Sequence, residues 1–471
     1  MSVQDAVSQS RSAGGAGRLS VGSWILFDCA TQPFFSLILT FVFPAYFAQR
    51  IVGDAVAGQA LWGYATGAAG VVLALGAPVL GAVADATGAR KPWILVFSLP
   101  LVAGASMLWF AAPGAPFAVG IALVGYFLGI LGAEFTTVFN NAMMPGLVAP
   151  DRLGRLSGTG WAAGYFTGVI VVLAVFCLIV AAPSNGLTLL GMPPLFGLDP
   201  AAFEGDRLTG PLSAVWYVVF VLPLFLFVPE RASRRTPPLG RAVAEGLGRI
   251  RATIANLPST PSAARFLIAQ MLYSDGLVAL FALGTIYGAG QFAWGDTQLG
   301  IFGISLSLFG AIGAFAGGPL DDRLGSKTVA AGCLVVLIVV SIGLVSIGRD
   351  HIGFVFPVAP PQPGAPLFSS TPERLFMACA LVVGLSVGPL QSSSRTLLAR
   401  ISPPEHLTAY FGLYALTGKL TSFVAPIMIA VLTDLFVSQQ AGFAVIPAFF
   451  VAGLALLWGV HEPRPGLANR G

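Results

Sequence analysis

Apolar runs of about twenty residues recur along the whole chain, and they restrict the fold more than any other feature. A helix of that length crosses the hydrocarbon core of a bilayer, which is about 30 Å thick. Only 9% of the residues are charged, whereas soluble domains carry about 25%. So few charges cannot cover the surface of a water-soluble protein of 471 residues. The sequence therefore predicts a polytopic, all-α membrane protein.

The apolar runs fall into two sets of six, separated by a polar linker. We predict spans at 21–48, 59–83, 92–112, 116–139, 158–182, 212–229, 264–290, 297–319, 328–348, 374–394, 408–434 and 441–460. Two six-helix bundles then occupy 21–229 and 264–460, with flexible tails at 1–20 and 461–471. Arginines in the linker, 230–263, alternate with apolar residues at helical spacing. That pattern favours an amphipathic helix on the membrane surface, with a solvated linker as the alternative.

Positive charges predict the orientation. With the N-terminus in the cytoplasm, the cytoplasmic segments hold 19 Lys and Arg residues and the opposite segments hold 4. Because cytoplasmic loops carry the excess of Lys and Arg, both termini are predicted to lie inside, in a multi-pass protein of the cytoplasmic membrane. The tail at 1–20 lacks the apolar core of a signal peptide. No dense basic block indicates a nucleic-acid partner.

One charged pattern, G-x-x-x-D-x-x-G-x-[RK], occurs twice, 237 residues apart, each time after the second span of a set. The first copy contains Gly81, Asp85, Gly88 and Arg90, and the second contains Gly318, Asp322, Gly325 and Lys327. The glycines permit a tight turn, and each carboxylate can accept backbone N–H groups at a neighbouring helix start. We interpret the two loops as a latch that closes the cytoplasmic side in one state. The alternative is a positive loop that only sets topology.

The repeated pattern, the twelve spans and the basic linker resemble the major facilitator superfamily. That resemblance implies two bundles around a central cavity that opens alternately to either side. Four stretches are similar to its vacuole-effluxer branch: SWILFDCATQPFFSLILTFVFPAYF (23–47), GTGWAAGYFTG (158–168), GPLQSSSRTLLARISPPE (388–405) and FGLYALTGKLTSFVAP (411–426). The fungal members of that branch release amino acids from the vacuole, which implies an amino acid as the solute.

Four ionisable residues fall within predicted spans: Asp28, Glu134, Asp275 and Lys419. A charge at the bilayer centre costs at least about 2.5–3.5 kcal/mol, so such residues are typical of transport pathways. Asp28 and Asp275 are 247 residues apart, close to the repeat offset, which suggests matching positions in the two sets. We expect Lys419 to be the counter-ion of one acid and a carboxylate to carry the coupled proton. Ion pairs that only fix helix packing are the alternative.

Uncharged polar residues extend two of these faces. Asn141 continues the face of Glu134 at i+7, and Gln391 lies on the tenth span, where it is a candidate for binding the solute. Packing is an equally good interpretation of both. Arg395 comes just after the predicted tenth span. We expect it to contact lipid phosphate or the loop at Asp321 and Asp322.

The sequence lacks a Walker A motif, H-E-x-x-H and G-x-S-x-G, so we predict no enzyme, cofactor or metal site. We expect a monomeric secondary transporter that exports a small polar solute, with an amino acid or short peptide favoured, by proton-coupled alternating access. A transporter of sugars, drugs or organic anions is one alternative. A lipid-handling or solute-sensing membrane protein without net transport is another.

Overall fold

The structure, a computed structural model, describes residues 17–181, 185–230, 260–292, 294, 296–359, 368–421, 424–436 and 438–463. At some helical positions, including Asp85 and Lys419, the description covers the backbone alone. The described chain is almost entirely helical. This is the arrangement that satisfies every backbone polar group within a membrane.

Among the described residues, seven α-helices precede the linker: α1 (Arg18–Pro33), α2 (Phe43–Tyr46), α3 (Ala55–Thr87), α4 (Lys91–Met107), α5 (Ala118–Met143), α6 (Leu153–Leu178) and α7 (Glu204–Phe227). Eight follow it: α8 (Pro261–Phe292), α9 (Asp296–Leu324), α10 (Ser326–Ser346), α11 (Thr371–Ile401), α12 (Leu407–Leu420), α13 (Val424–Phe436), α14 (Gln439–Phe443) and α15 (Val445–Trp458). Strands β1 (His351–Ile352) and β2 (Phe356–Pro357) form a short antiparallel hairpin between α10 and α11.

Within the described residues, eleven helices are long and apolar enough to cross a membrane. The first span changes from an α-helix, which ends at Pro33, to π-helical turns at Phe34–Phe41. The change follows Pro33, whose ring nitrogen cannot donate a hydrogen bond. The predicted span at 408–434 is divided between α12 and α13. Thr421, directly after α12, is in a turn, and the two residues that follow it lie outside the described set. The predicted all-α membrane fold class is thus confirmed, and the predicted count of twelve spans agrees approximately with the eleven long helices described.

Two spans differ most in extent from the prediction. The sixth begins at Glu204 rather than at 212, and the tenth runs from Thr371 to Ile401 rather than ending at 394. Most of the predicted amphipathic linker, 231–259, lies outside the described residues.

Contacts between the two sets of spans run along two seams. In one seam α3 packs against α12, and in the other α6 packs against α9 and α11. Large apolar side chains such as Leu75 and Val339 stay exposed on the outside of the bundle, at 71% and 64%. In a membrane this exposed surface faces lipid, so the polar and charged groups along the seams are the candidates for function.

Candidate functional site

The two repeated loops share a positive φ at their second glycine. Each copy places its second glycine directly after a helix, Gly88 after α3 and Gly325 after α9, with φ of 67° and 89°. These positive values favour glycine over every other residue. Both loops lie at one end of the bundle, which we call the motif side, and which the positive charges predict to be cytoplasmic.

The second copy of the motif joins the two halves. Asp322, at the end of α9, accepts hydrogen bonds from the backbone N–H groups of Gly154 and Arg155, at 2.8 and 3.1 Å. Those groups belong to the first turn of α6, in the other half. A carboxylate at a helix N-terminus is stabilised by the free N–H groups and by the helix dipole. Asp322 therefore ties the end of one half to the start of a helix in the other.

The first copy makes a comparable contact on the other seam. Arg90 donates from Nε to the hydroxyl of Thr408, at 3.1 Å, in the first turn of α12. Gly81 packs so closely there that an added Cβ would lie 2.6 Å from the carbonyl oxygen of Thr408. The side chain of Asp85 lies outside the described set. Both motif copies thus contact the opposite half, on different seams.

Two glutamates that the sequence analysis missed hold the motif loops within their own halves. Glu230, after the sixth span, accepts from the backbone N–H groups of Arg90 and Lys91. Lys91 in turn donates from Nζ to the carbonyl of Phe225, at 2.8 Å. The last turn of the sixth span and the first turn of the third are therefore joined by charge-assisted hydrogen bonds.

The second half repeats this arrangement. Glu462 accepts from the backbone N–H groups of Ser326 and Lys327, at 3.0 and 2.8 Å, and Lys327 donates from Nζ to the carbonyl of Trp458, at 2.7 Å. Lys327 therefore contacts its own half. A sequence signal for the pair existed, since a glutamate next to proline follows the last span of each half, in VPE and HEP.

Arg400 is a further buried cation on the motif side. Its guanidinium lies 3.0 Å from Asp321, 2.8 Å from Glu462 and 3.6 Å from Asp322. It also donates to the hydroxyl of Ser326, at 2.8 Å. The expectation that Arg395 would meet the Asp321 and Asp322 loop or lipid phosphate is wrong, because Arg400, five residues later on the same helix, meets that loop.

Arg395 instead reaches into the first half. Its Nη1 donates to Asp28 and Asn141, at 3.2 and 3.1 Å, while Nε and Nη2 donate to the hydroxyl and carbonyl of Ser157, at 2.8 and 2.7 Å. The Arg395 side chain is 4% exposed and that of Asp28 is 15% exposed. Three helices of the first half, α1, α5 and α6, thus converge on one cation of the second. The counter-ion of Asp28 is therefore Arg395.

Asp275, which the sequence offset suggests as the counterpart of Asp28, has different surroundings. It lies on α8, is 1% exposed, and neither carboxylate oxygen makes a hydrogen bond with a described group. The hydroxyl of Thr421, after the last turn of α12, lies near this carboxyl. Among the described groups, Asp275 thus has no hydrogen-bonded cation of the kind that Asp28 has.

The remaining predicted residues lie on the seam helices. Glu134 and Asn141 are half-buried on α5, and Gln391 is half-buried one turn before Arg395 on α11. The backbone of Lys419 lies on α12, which packs against both α5 and α8. The side chain of Lys419 lies outside the described set, so its pairing with one of the predicted acids stays a prediction.

Comparison with known proteins identifies the family. The model of a family described as "Vacuole effluxer Atg22 like" matches residues 48–466. The chain belongs to this family. It is similar to the uncharacterized MFS-type transporter YxiO of Bacillus subtilis, with 24% identity over 93% of this chain and 94% of that protein. It is also similar to autophagy-related protein 22 of Cryptococcus neoformans, with 26% identity over 66% of this chain. The chain spans about half the length of that fungal protein, 51%.

Solved structures confirm the major facilitator fold of this Atg22-like protein. The human organic anion transporter MFSD10 matches 93% of this chain and 99% of its own, with a TM-score of 0.68 and 14% identity. The fucose:proton symporter FucP of Escherichia coli matches 94% and 98%, with a TM-score of 0.67 and 13% identity. At such identities the likeness shows the fold alone.

Proposed function

We propose that this Atg22-like protein is a secondary active transporter that exports a small polar solute across the cytoplasmic membrane by alternating access. The solute class we propose is an amino acid or short peptide, and the driving ion a proton. Membership of an effluxer family supports export. The amino-acid class rests on the sequence resemblance described above.

The proposal of proton coupling rests on the contrast between Asp28 and Asp275. The sequence offset suggests that the two acids are counterparts in the two halves, yet Asp28 pairs with Arg395 while Asp275 is buried with no hydrogen bond among the described groups. A carboxyl that is not held by a permanent hydrogen-bonded ion pair can gain and lose a proton as its surroundings change. Asp275 is thus the proposed proton carrier.

The charges along the seams suit a solute that carries both a positive and a negative charge. The first half offers Asp28 and the amide of Asn141 to cationic or donor groups, and the second half brings the cation Arg395 to the same place. An amino acid carries an ammonium and a carboxylate, so it can replace both sides of such a pair. This supports the proposed solute class.

Uptake into inside-out proteoliposomes tests the proposal, with a panel of amino acids, dipeptides, sugars and organic anions. We expect amino acid or peptide flux that rises with an imposed pH gradient. Asp275→Asn should retain solute exchange at equal pH but lose the response to the gradient, with Glu405→Gln, at an exposed loop position, as the matched control.

Other outcomes would replace the proposal. Flux of a sugar or an organic anion alone would move this protein to a different solute class. A pH response that survives in Asp275→Asn would remove that residue as the proton carrier. Lipid movement without solute flux would favour the lipid-handling alternative.

A further inference from the structure

Arg395 belongs to the second half by sequence, but its described hydrogen-bond acceptors all belong to the first. Four of the five N–H donors of a guanidinium are used, on Asp28, Asn141 and both oxygens of Ser157. The hydroxyl of Ser157 also donates to the carbonyl of Ser392 in the second half, at 2.8 Å. The cation is therefore held more extensively than a simple ion pair would hold it.

Two indole rings of the first half enclose the same cation. The guanidinium carbon of Arg395 lies 4.9 Å from the ring centre of Trp24 and 5.8 Å from that of Trp161. Trp24 is fixed by a hydrogen bond from its Nε1 to the carbonyl of Asn140, at 2.9 Å. Such contacts stabilise a desolvated cation. We call the surrounding groups, Trp24, Asp28, Asn141, Ser157 and Trp161, the arginine socket.

A glycine on α6 provides the space for this arrangement. A Cβ added at Gly160 would collide with Oδ2 of Asp28 and would lie 3.1 Å from Nη2 of Arg395. One turn later, a Cβ at Gly164 would meet nothing closer than 3.5 Å, which is ordinary contact. The two glycines share a helix face but differ in what they touch. Only Gly160 needs to lack a side chain for the socket to hold the cation.

We infer that Arg395 is the positioning residue that holds the motif side closed, by entering the arginine socket when the halves meet and leaving it when they part. The inference deepens the proposed function, since it rests on alternating access. Breaking the four hydrogen bonds of the guanidinium costs free energy until water or another anion takes the place of the lost partners. Release of Arg395 is therefore a step that opening must include.

Spin-label distances on the motif side test this role without any solute. Labels on cysteines at Asp151 and Glu405 report one position in each half, both exposed, in full-length protein whose four native cysteines are replaced. Arg395→Gln should raise the ratio of open to closed populations by about tenfold, the effect of one or two lost charge-assisted hydrogen bonds. Gly160→Ala should act in the same direction although it removes no charge. Gly164→Ala is the matched control and should leave the distribution unchanged.

A structural role alone predicts a different result. If Arg395→Gln and Gly160→Ala lower the melting temperature but leave the distances unchanged, the inference is overturned. If Arg395→Gln fails to fold, two other variants test the inference: Gly160→Ala, and the double variant Asp28→Asn with Arg395→Gln. The double variant leaves no lone buried charge. Because the distance measurement uses no solute, a negative result for the arginine socket can be distinguished from a negative result in the flux assay.

Discussion

Asp28 and Asp275 show how strongly surroundings determine what a residue can do. Both are aspartates, and their sequence offset predicts that they are counterparts in the two halves. Arg395 fills the space beside Asp28, whereas Asp275 has no described hydrogen-bond partner. A charged, paired carboxylate fixes geometry, and a buried carboxyl outside such a pair responds to protons.

The environment of Asp275 makes a prediction about stability. Asp275→Asn should leave the melting temperature unchanged or raise it at neutral pH, because an amide is cheaper than a carboxylate to bury without partners. Asp28→Asn should lower it, since Arg395 then loses its counter-charge. Thermal unfolding of both variants in the same detergent measures the difference. A larger loss for Asp275→Asn than for Asp28→Asn would contradict the assignment.

The two glutamates after the last spans make a second prediction. Glu230→Gln and Glu462→Gln should each destabilise the protein by about 1–2 kcal/mol, as expected when a helix start loses a capping carboxylate. The larger loss is expected for Glu462, which also pairs with Arg400 at 2.8 Å. Glu405→Gln, exposed between α11 and α12, is the control. Equal stability of all three variants would show that the caps contribute little.

At the scale of helices, close approach of α6 and α9 determines whether the motif side can close. A Cβ at Gly158 would lie 2.5 Å from the carbonyl oxygen of Ala314 and 2.8 Å from Cα of Gly318, both backbone atoms that cannot move aside alone. Gly158→Ala should therefore separate the halves on the motif side. Gly332→Ala, where an added Cβ meets nothing within 4 Å, should not. The accessibility of cysteines placed at the seam, labelled from the motif side, measures the separation in both variants. Equal labelling of the two variants would contradict the prediction.

The sequence predicted the helices better than their ends. Hydrophobic runs and charge located twelve spans, because crossing a bilayer demands length and apolarity. They did not locate the interruption between α12 and α13 or the extension of α11 to Ile401. Helix ends depend on local backbone hydrogen bonds that hydropathy does not report.

The extension of α11 also explains the error at Arg395. The predicted span ended at 394 and put Arg395 at its cytoplasmic end, whereas the longer helix holds Arg395 six residues from its end, where it contacts the first half. Asp28 and Asn141 were recognisable as polar residues within spans. Their shared partner was not, because it depends on how closely two distant helices approach, which Gly160 permits.

At the scale of the whole molecule, the contacts on the motif side join helices of one half to helices of the other. If each half moves as a rigid body, these contacts can break. Three of the described contacts join the two halves, Asp322 on the start of α6, Arg90 on the start of α12 and Arg395 in its socket, and we expect them to separate without unfolding either half. Glu230 and Glu462 meanwhile keep each loop fixed to its own half. The molecule thus combines firm contacts within halves with separable contacts between them.

Paired distance measurements on both sides of the membrane test this two-state behaviour most directly. One label pair, at Asp151 and Glu405, reports the motif side, and a second, on cysteines at exposed Pro116 and Arg349, reports the opposite side. Across pH and added amino acids, we expect the two distances to change in opposite directions, with the motif side longest when the opposite side is shortest. Distances that stay fixed on both sides, or that lengthen together, would contradict alternating access.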